Sequence, residues 1–471
     1  MHRTKIVCTI GPASDGEEIL QRMIEAGMNV ARLNFSHGDH KEHGQRIKRI
    51  RKISERLNVP IAILQDLAGP KIRIGKIQKG TVELKAGQTF ILTSREVPGD
   101  EQRVSVTFKR LPEEVNVGNR ILLADGSIEL VVNKIEGEDI ICEVLVGGEL
   151  SSSKGINLPG SSLSVEALTP KDKKDLEFGL AQQVDYVAIS FVRRKDDILQ
   201  VKKLMEKIAR VVPVIAKIEK HEALENIDEI IAVVDGIMVA RGDLAVETAL
   251  ERVPLVQKML IQKCNEVGKP VITATQMLKS MVDNPRPTRA EANDVANAVL
   301  DGTDAVMLSE ETTVGNYPVE SVQVMARIIQ ATESVLLKNK ISNVRGIRGK
   351  VTIARAVSHA SYEMAQDLHA AAIITPTQSG STARMVARYR PEQPIIALSP
   401  DPHVVRCLSL VWGVWPVLIE GYTSSDEMIE ESKKTALNTG LVKKDDVVVI
   451  TAGTPTGVPG TTNLIKAEVI Q

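Results

Sequence analysis

Residues 213–243 read PVIAKIEKHEALENIDEIIAVVDGIMVARGD. Two short apolar runs, 213–218 and 236–240, flank a stretch whose apolar residues recur at helical spacing. Unbroken apolar runs of this length suit strands buried on both faces, as parallel strands are. The unit therefore reads strand, helix, strand. Both runs end in charge. Lys217 and Glu219 close the first, and Arg241 and Asp243 follow the second. An extended strand puts Lys217 and Glu219 on the same face.

The same unit repeats in both directions. Runs at 5–10, 28–33, 61–64, 185–190, 270–273 and 304–308 complete a set of eight. Eight strand–helix units predict a (β/α)8 TIM barrel over residues 1–70 and 167–340. An open doubly wound sheet shares the periodicity, and the count of eight favours the barrel. Residues 71–166 differ. Alternating segments at 120–123, 127–132 and 139–145 are broken by Asp125-Gly126 and Gly137-Glu138, which read as hairpin turns. This predicts an all-β domain, a small β-barrel, inserted after the third barrel strand, where it can serve as a lid. Residues 345–471 return to α/β alternation, with strand candidates at 371–375, 394–398, 414–419 and 446–450. They predict a C-terminal open-sheet α/β domain.

Composition narrows the class. The 471 residues carry a formal net charge of −1 with 25% charged residues, which gives no electrostatic reason to expect nucleic acid or an anionic membrane. No apolar run approaches the length of a membrane span, and the N-terminus lacks the pattern of a signal peptide. Cys8, Cys142, Cys264 and Cys407 are far apart, with no metal-ligand spacing. A reduced, cytoplasmic, disulfide-free protein is expected.

The polar residues gather at strand ends. Arg32 to Gly38 follow the second predicted strand, Asp66 the third, Lys217 to Glu219 the fifth, Arg241 to Asp243 the sixth, Thr275-Gln276 the seventh and Ser309 to Glu311 the eighth. In a barrel these ends meet at one mouth, where barrel enzymes work. A single charged strand end is more often a solvated loop residue, but six clusters on one rim argue for a site. Glu219 and Asp243 are hard oxygen donors that suit a shared Mg²⁺, with Mn²⁺ as a substitute. Lys217 beside them can neutralise charge on a transferring phosphoryl group. Arg32 and Arg73 can grip phosphate oxygens as planar forks. The turn at Gly242-Asp243 offers backbone N–H groups, and Thr275 offers a hydroxyl.

With these residues placed, the chain resembles the pyruvate kinase family along its whole length. The matching strings are Thr9 to Ser14, Ala31 to Gly38, Ala216 to Glu219, Met238 to Asp243, Lys269 to Leu278, Asn284 to Glu291 and Asp294 to Ala298. The resemblance implies phosphoryl transfer from phosphoenolpyruvate to ADP, giving pyruvate and ATP, in a homotetramer. It implies that Glu219 and Asp243 hold Mg²⁺, and that Lys217 stabilises the transferring group. Arg32, Ala240, Arg241, Gly242, Asp243 and Thr275 would form the substrate cradle. Asn34, Ser36, His37, Arg73 and Lys154 would meet the nucleotide. A water relay near Thr275 would protonate the enolate. No domain is expected beyond the C-terminal one. Two rivals remain on residue type alone: a metal-dependent aldolase or phosphonomutase, and a non-catalytic metabolite sensor. The first needs neither lid nor arginine pair, and the second would lack Lys217, Glu219 or Asp243.

Departures from the family pattern bear on K⁺. Many members hold K⁺ at positions matching Asn34, Ser36, Asp66 and the carbonyl of Leu67. They commonly have Thr and Glu where this chain has Leu67 and Lys71. Lys71 is therefore expected to stand in for K⁺, which would not be required. In the C-terminal domain, Thr377, Ser379, Gly380, Ser381 and Thr382 form a hydroxyl-rich turn before a helix, and residues 451–463 form a second Gly- and Pro-rich loop. Read alone they are ordinary loops. The resemblance makes them the site of a phosphorylated allosteric effector.

Overall fold

The computed structural model describes residues 2–161, 163–338, 351–454 and 460–471. Its centre is a closed parallel barrel of Lys5–Thr9, Val30–Asn34, Ala62–Asp66, Tyr186–Ile189, Val214–Ile218, Gly236–Ala240, Val271–Ala274 and Ala305–Leu308. Each strand pairs with its neighbour in sequence, and the last closes on the first with Ala305 beside Lys5. All eight lie where the apolar runs predicted them. The pleat explains the two-sided burial. Val7, Val30, Leu64, Ile215, Met238 and Ile272 fill the interior, while alternate residues such as Ile6, Ile63 and Val239 pack under the surrounding helices. Thr169 and Thr288 start two of those helices with capping boxes, closing on Asp172 and Glu291.

The strands between residues 71 and 166 form a six-stranded sheet and a separate two-stranded ribbon around one apolar core. Isolated bridges at Arg73–Gly155, Ile74–Val106 and Ile77–Gly99 link the gaps, so the expected β-barrel is an interrupted one. Gly137 turns a hairpin with φ of +61°. At Asp125-Gly126 the turn is longer than expected, a 3-10 turn over Ala124–Gly126 with Ala124 and Asp125 both at positive φ.

The C-terminal sheet has four parallel strands, Ala372–Pro376, Ile395–Ser399, Val414–Leu418 and Val447–Gly453. A fifth strand, Thr462–Val469, runs antiparallel at the edge. It lacks a continuous apolar run because it is half exposed, which is why periodicity passed over it. This domain also completes the barrel floor. Cys407 and Leu410 join the interior core, and Tyr186 donates its hydroxyl to the Cys407 carbonyl at 2.7 Å. Two buried acids hold the junction. Asp185 takes Arg51 at 2.7 Å and Arg406 at 2.8 Å, and Asp304 takes Arg390 at 3.0 Å. Among the described residues no helix is long and apolar enough to cross a membrane.

Candidate active site

The mouth is organised around Lys217. Its ammonium donates to Ser190 Oγ at 2.7 Å and lies 3.0 Å from Glu219 Oε1 and 3.3 Å from Asp66 Oδ1. The Asp66 contact is electrostatic rather than a well-aligned hydrogen bond, since that oxygen lacks a partner of good geometry. Ser190 in turn donates to the Leu67 carbonyl at 2.8 Å. On the other side of Asp66, Arg32 donates Nε at 2.7 Å and reaches Thr9 Oγ1 with Nη1 at 2.8 Å. Register makes these contacts: Arg32 stands beside Leu64, and Asn34 beside Asp66, on neighbouring strands.

Electrostatics follow from burial. Burial alone would push Asp66 up, but Lys217 and Arg32 outweigh it and hold the carboxyl below its ordinary value. Burial opposes the charge on Lys217, and Asp66 and Glu219 more than offset it, so Lys217 titrates above the usual lysine value. Glu219 moves the other way. Burial raises it, Lys217 lowers it, and the like charge of Asp243 raises it further. Its Oε2 accepts the Phe191 amide at 2.8 Å. A buried carboxylate raised by the charge of a second carboxylate beside it is a donor set a divalent cation would relieve. The pair therefore fits Mg²⁺, leaving other positions for substrate oxygens and water.

Asp243 opens a short helix, Arg241–Glu247, and meets Lys71 at 3.1 Å. Lys71 also reaches Asp125 of the β domain at 3.4 Å. Its charge is reinforced: burial opposes it, yet Asp243 and Asp125 raise it above the ordinary value. Among the described residues its ammonium pairs with Asp243 and Asp125 and makes no ion pair with Asp66.

Thr275 is strained. Its φ is +68° and that of Gln276 is +55°, a region β-branched residues avoid at a cost of about 1–3 kcal/mol. Three contacts impose it. Gly242 donates its amide to Thr275 Oγ1 at 2.9 Å, while Arg241 donates Nη2 to the Thr275 carbonyl at 2.6 Å and Nε to the Ala274 carbonyl at 3.0 Å. The Gly242 amide, expected to be free, is thus engaged by the hydroxyl expected beside it. Arg241 faces back to Asp294 at 2.7 Å and braces the cradle from behind.

The family model described as pyruvate kinase, barrel domain, matches residues 1–322, and that described as pyruvate kinase, alpha/beta domain, matches residues 355–467. A relative named pyruvate kinase in Geobacillus stearothermophilus is 50% identical over 99% of this chain and 80% of its own length. One in Clostridium acetobutylicum is 48% identical over the full length of both. One named pyruvate kinase 2, from Synechocystis, is 50% identical over all of this chain and 79% of its own. The chain belongs to the pyruvate kinase family. In this pyruvate kinase Lys217 and Glu219 close one barrel strand, and Asp243 follows the next.

The remaining residues fall into groups. Asn34 accepts the Ser36 amide at 3.1 Å, and Ser36 and His37 are exposed on the loop after the second strand. Arg73 and Lys154 sit together in the β domain, where Arg73 holds the Ser153 carbonyl at 2.9 Å and the Lys154 carbonyl accepts the Ile74 amide. No hydrogen bond or ion pair among the described residues joins these two groups. Leu67 buries its side chain in the barrel core. Glu311 is a brace, accepting the amides of Leu278 at 3.0 Å and Ser309 at 2.7 Å, whereas Glu310 pairs with Lys279 at the surface. In the C-terminal domain Thr382 is hydrogen-bonded to Thr462 at 2.8 Å, and Thr377 is buried. Residues 455–459 of the second predicted loop lie outside the described residues.

Sequence reading missed four participants. Ser190 and Thr9 end the fourth and first strands, and the rule used for the other six would have found them. Glu247 is buried between Lys220 at 2.6 Å and Asn157 of the β domain at 2.9 Å. Asp125 was read only as a turn residue. No local pattern marks either acid, because each works across domains.

Proposed function

We propose that this barrel mouth transfers the phosphoryl group of phosphoenolpyruvate to ADP, forming pyruvate and ATP, with Mg²⁺ held by Glu219 and Asp243 and without a K⁺ requirement. The observation that carries the reading is Lys217, a buried ammonium fixed 3.0 Å from Glu219 and 3.3 Å from Asp66. A cation held rigidly in a dry site costs no reorganisation when charge builds on the phosphoryl oxygens. Bound Mg²⁺, or Mn²⁺ in its place, would supply further neutralisation of those oxygens.

Arg32, fixed by Asp66 and Thr9, presents its remaining N–H toward phosphate. The backbone from Ala240 to Asp243, with Thr275, cradles the substrate carboxylate. Asn34, Ser36 and His37 on the barrel, and Arg73 and Lys154 on the lid, take the nucleotide as the lid moves. Protonation of the enolate is assigned to water near the Thr275 hydroxyl, whose own proton is committed to the Ala274 carbonyl at 2.7 Å.

K⁺ independence is supported by occupancy of the charges around it. Asp66 already has two cations, and the Leu67 carbonyl already has Ser190. Lys71 adds a fixed positive charge at the mouth. We further assign residues 71–166 as the lid and residues 345–471 as a regulatory domain with a phosphorylated effector at Thr377 to Thr382. The oligomer is read as a homotetramer. A cytoplasmic setting agrees with four cysteines that are all free and buried. Pyruvate release from phosphoenolpyruvate and ADP, followed in a coupled assay, tests the reaction; absence of ADP-dependent pyruvate formation overturns it.

A further inference from the structure

The loop after the second barrel strand hangs between two helices. Asn34 ends the strand, Ser36 and His37 are exposed, and Gly38 turns the chain at φ of +75° toward the helix His40–Leu57. Within the loop the Ser36 amide donates to Asn34 Oδ1 at 3.1 Å, and the His37 amide to the Asn34 carbonyl at 3.3 Å. An exposed turn that a ligand must first order binds that ligand more weakly, because the lost conformational freedom is charged to binding.

Two side chains from outside the loop fix it beforehand. His43, in the first turn of the helix, is buried, and its Nε2 donates to the His37 carbonyl at 2.8 Å. A carbonyl only accepts, so the ring proton is on Nε2. Nδ1 is buried without a hydrogen-bond partner, as suits the bare nitrogen of a neutral ring, and burial holds the ring below the ordinary histidine pKa. The ring stacks on Phe35, with centroids 4.0 Å apart and planes 10° from parallel. From the other side Lys171 donates to the Phe35 carbonyl at 2.6 Å. Lys171 is aimed by Asp175, one turn along the helix Pro170–Ala181, at 2.6 Å. Asp175 also accepts His40 Nε2 at 2.8 Å, and the His40 ring stacks on Phe178 at 4.3 Å. The Phe35 and His37 carbonyls are thus each clamped from a different helix, and the two helices are tied to one another.

We propose that His43 and Lys171 are positioning residues for the nucleoside diphosphate, holding the His37 and Phe35 carbonyls so that Asn34, Ser36 and His37 meet the nucleotide in one arrangement. The inference rests on the reading of this loop as a nucleotide contact. It predicts a selective defect. Loss of either donor frees the loop without removing a group assigned to the nucleotide. The carboxylate cradle at Ala240 to Asp243 and Thr275 stands on other strands, so phosphoenolpyruvate binding should not follow.

The test is calorimetric titration of the full chain with ADP, with the KM for phosphoenolpyruvate and the Tm measured alongside. His43→Phe keeps a ring against Phe35 and removes the donor. It should weaken ADP about three- to tenfold, the range of one net hydrogen bond, with the phosphoenolpyruvate KM unchanged. His43→Gln can still donate to the His37 carbonyl and should recover most of the affinity. If it is as weak as His43→Phe, the effect belongs to ring packing and the hydrogen-bond role is overturned. Lys171→Met is the independent arm, at a half-exposed position where folding is not at stake, and should show the same selective loss. Unchanged ADP affinity in either His43→Phe or Lys171→Met removes that residue from the proposal. A phosphoenolpyruvate KM that rises in step with a falling Tm marks a merely structural role and overturns it. His37→Ala tests the underlying reading separately. If it weakens ADP while the His43 and Lys171 variants do not, only the positioning inference fails; if none of them weakens ADP, the nucleotide reading of the loop fails as well.

Discussion

Lys71 and Asp243 bind one another across the joint between the β domain and the barrel, ammonium nitrogen to carboxylate oxygen at 3.1 Å. Asp243 is the same residue assigned to the metal, so the lysine and the metal compete for it. A partly exposed pair contributes up to about 1 kcal/mol. Lys71→Met should therefore lower the Mg²⁺ concentration for half-maximal activity, by about fivefold at most. An Mg²⁺ titration of both proteins that coincides, or moves upward in the variant, contradicts the competition.

Lys71→Glu addresses the monovalent cation. The wild type should be fully active in a buffer free of K⁺ and NH₄⁺ at constant ionic strength. The variant should gain a K⁺ response, because a second negative charge near Asp243 costs roughly 4 kcal/mol at 4 Å and a dielectric near 20. Strong activation of the wild type by K⁺ sinks the proposal.

Lys217→Met should reduce kcat far more than it weakens phosphoenolpyruvate binding, since the gain is confined to the transition state. A loss under about tenfold corresponds to less than ~1.4 kcal/mol and is too small for that role. The variant also leaves Glu219 without its nearest cation. Breaking one partner of a buried pair costs about 3–5 kcal/mol, so a lowered Tm should accompany the kinetic loss. Asp243→Ala is the companion experiment, expected to raise the Mg²⁺ requirement sharply; an unchanged titration removes Asp243 from the metal site.

His2 supplies a pH signature remote from the mouth. Burial lowers its pKa from 6.5 to about 4, with its Nδ1 2.6 Å from the Thr4 carbonyl. The folded state thus prefers the neutral ring. Its contribution is fully present above pH 6.5 and is lost as pH falls toward 4, about 3 kcal/mol in all. His2→Gln should flatten the Tm profile across that window. An identical slope in both proteins would show that His2 is not the group responsible.

The barrel was legible because its strands are buried on both faces and so appear as uninterrupted apolar runs. Lys217, Glu219 and Asp243 were legible because strand ends map onto one rim. The edge strand Thr462–Val469 was not, since half exposure leaves it no such run. The position of the Lys71 ammonium was not either. A lysine side chain reaches over several ångströms, so its place in the sequence does not choose among Asp66, Asp125 and Asp243. That is a fact of three-dimensional neighbours, not of spacing. Glu247 and Asp125 were hidden for the same reason.

Cys407 and Leu410 lie in the same core as the barrel's own inward-facing residues. A barrel that borrows part of its innermost layer from another domain does not melt by itself. Calorimetry should give one cooperative endotherm for barrel and C-terminal domain together. A chain cut after residue 340 would expose an apolar floor, leave the buried Asp304 without Arg390 and strip Arg406 from Asp185, and would aggregate rather than refold. The same arrangement restricts domain exchange between relatives, because a transplanted C-terminal domain must bring side chains that fit a foreign barrel from below.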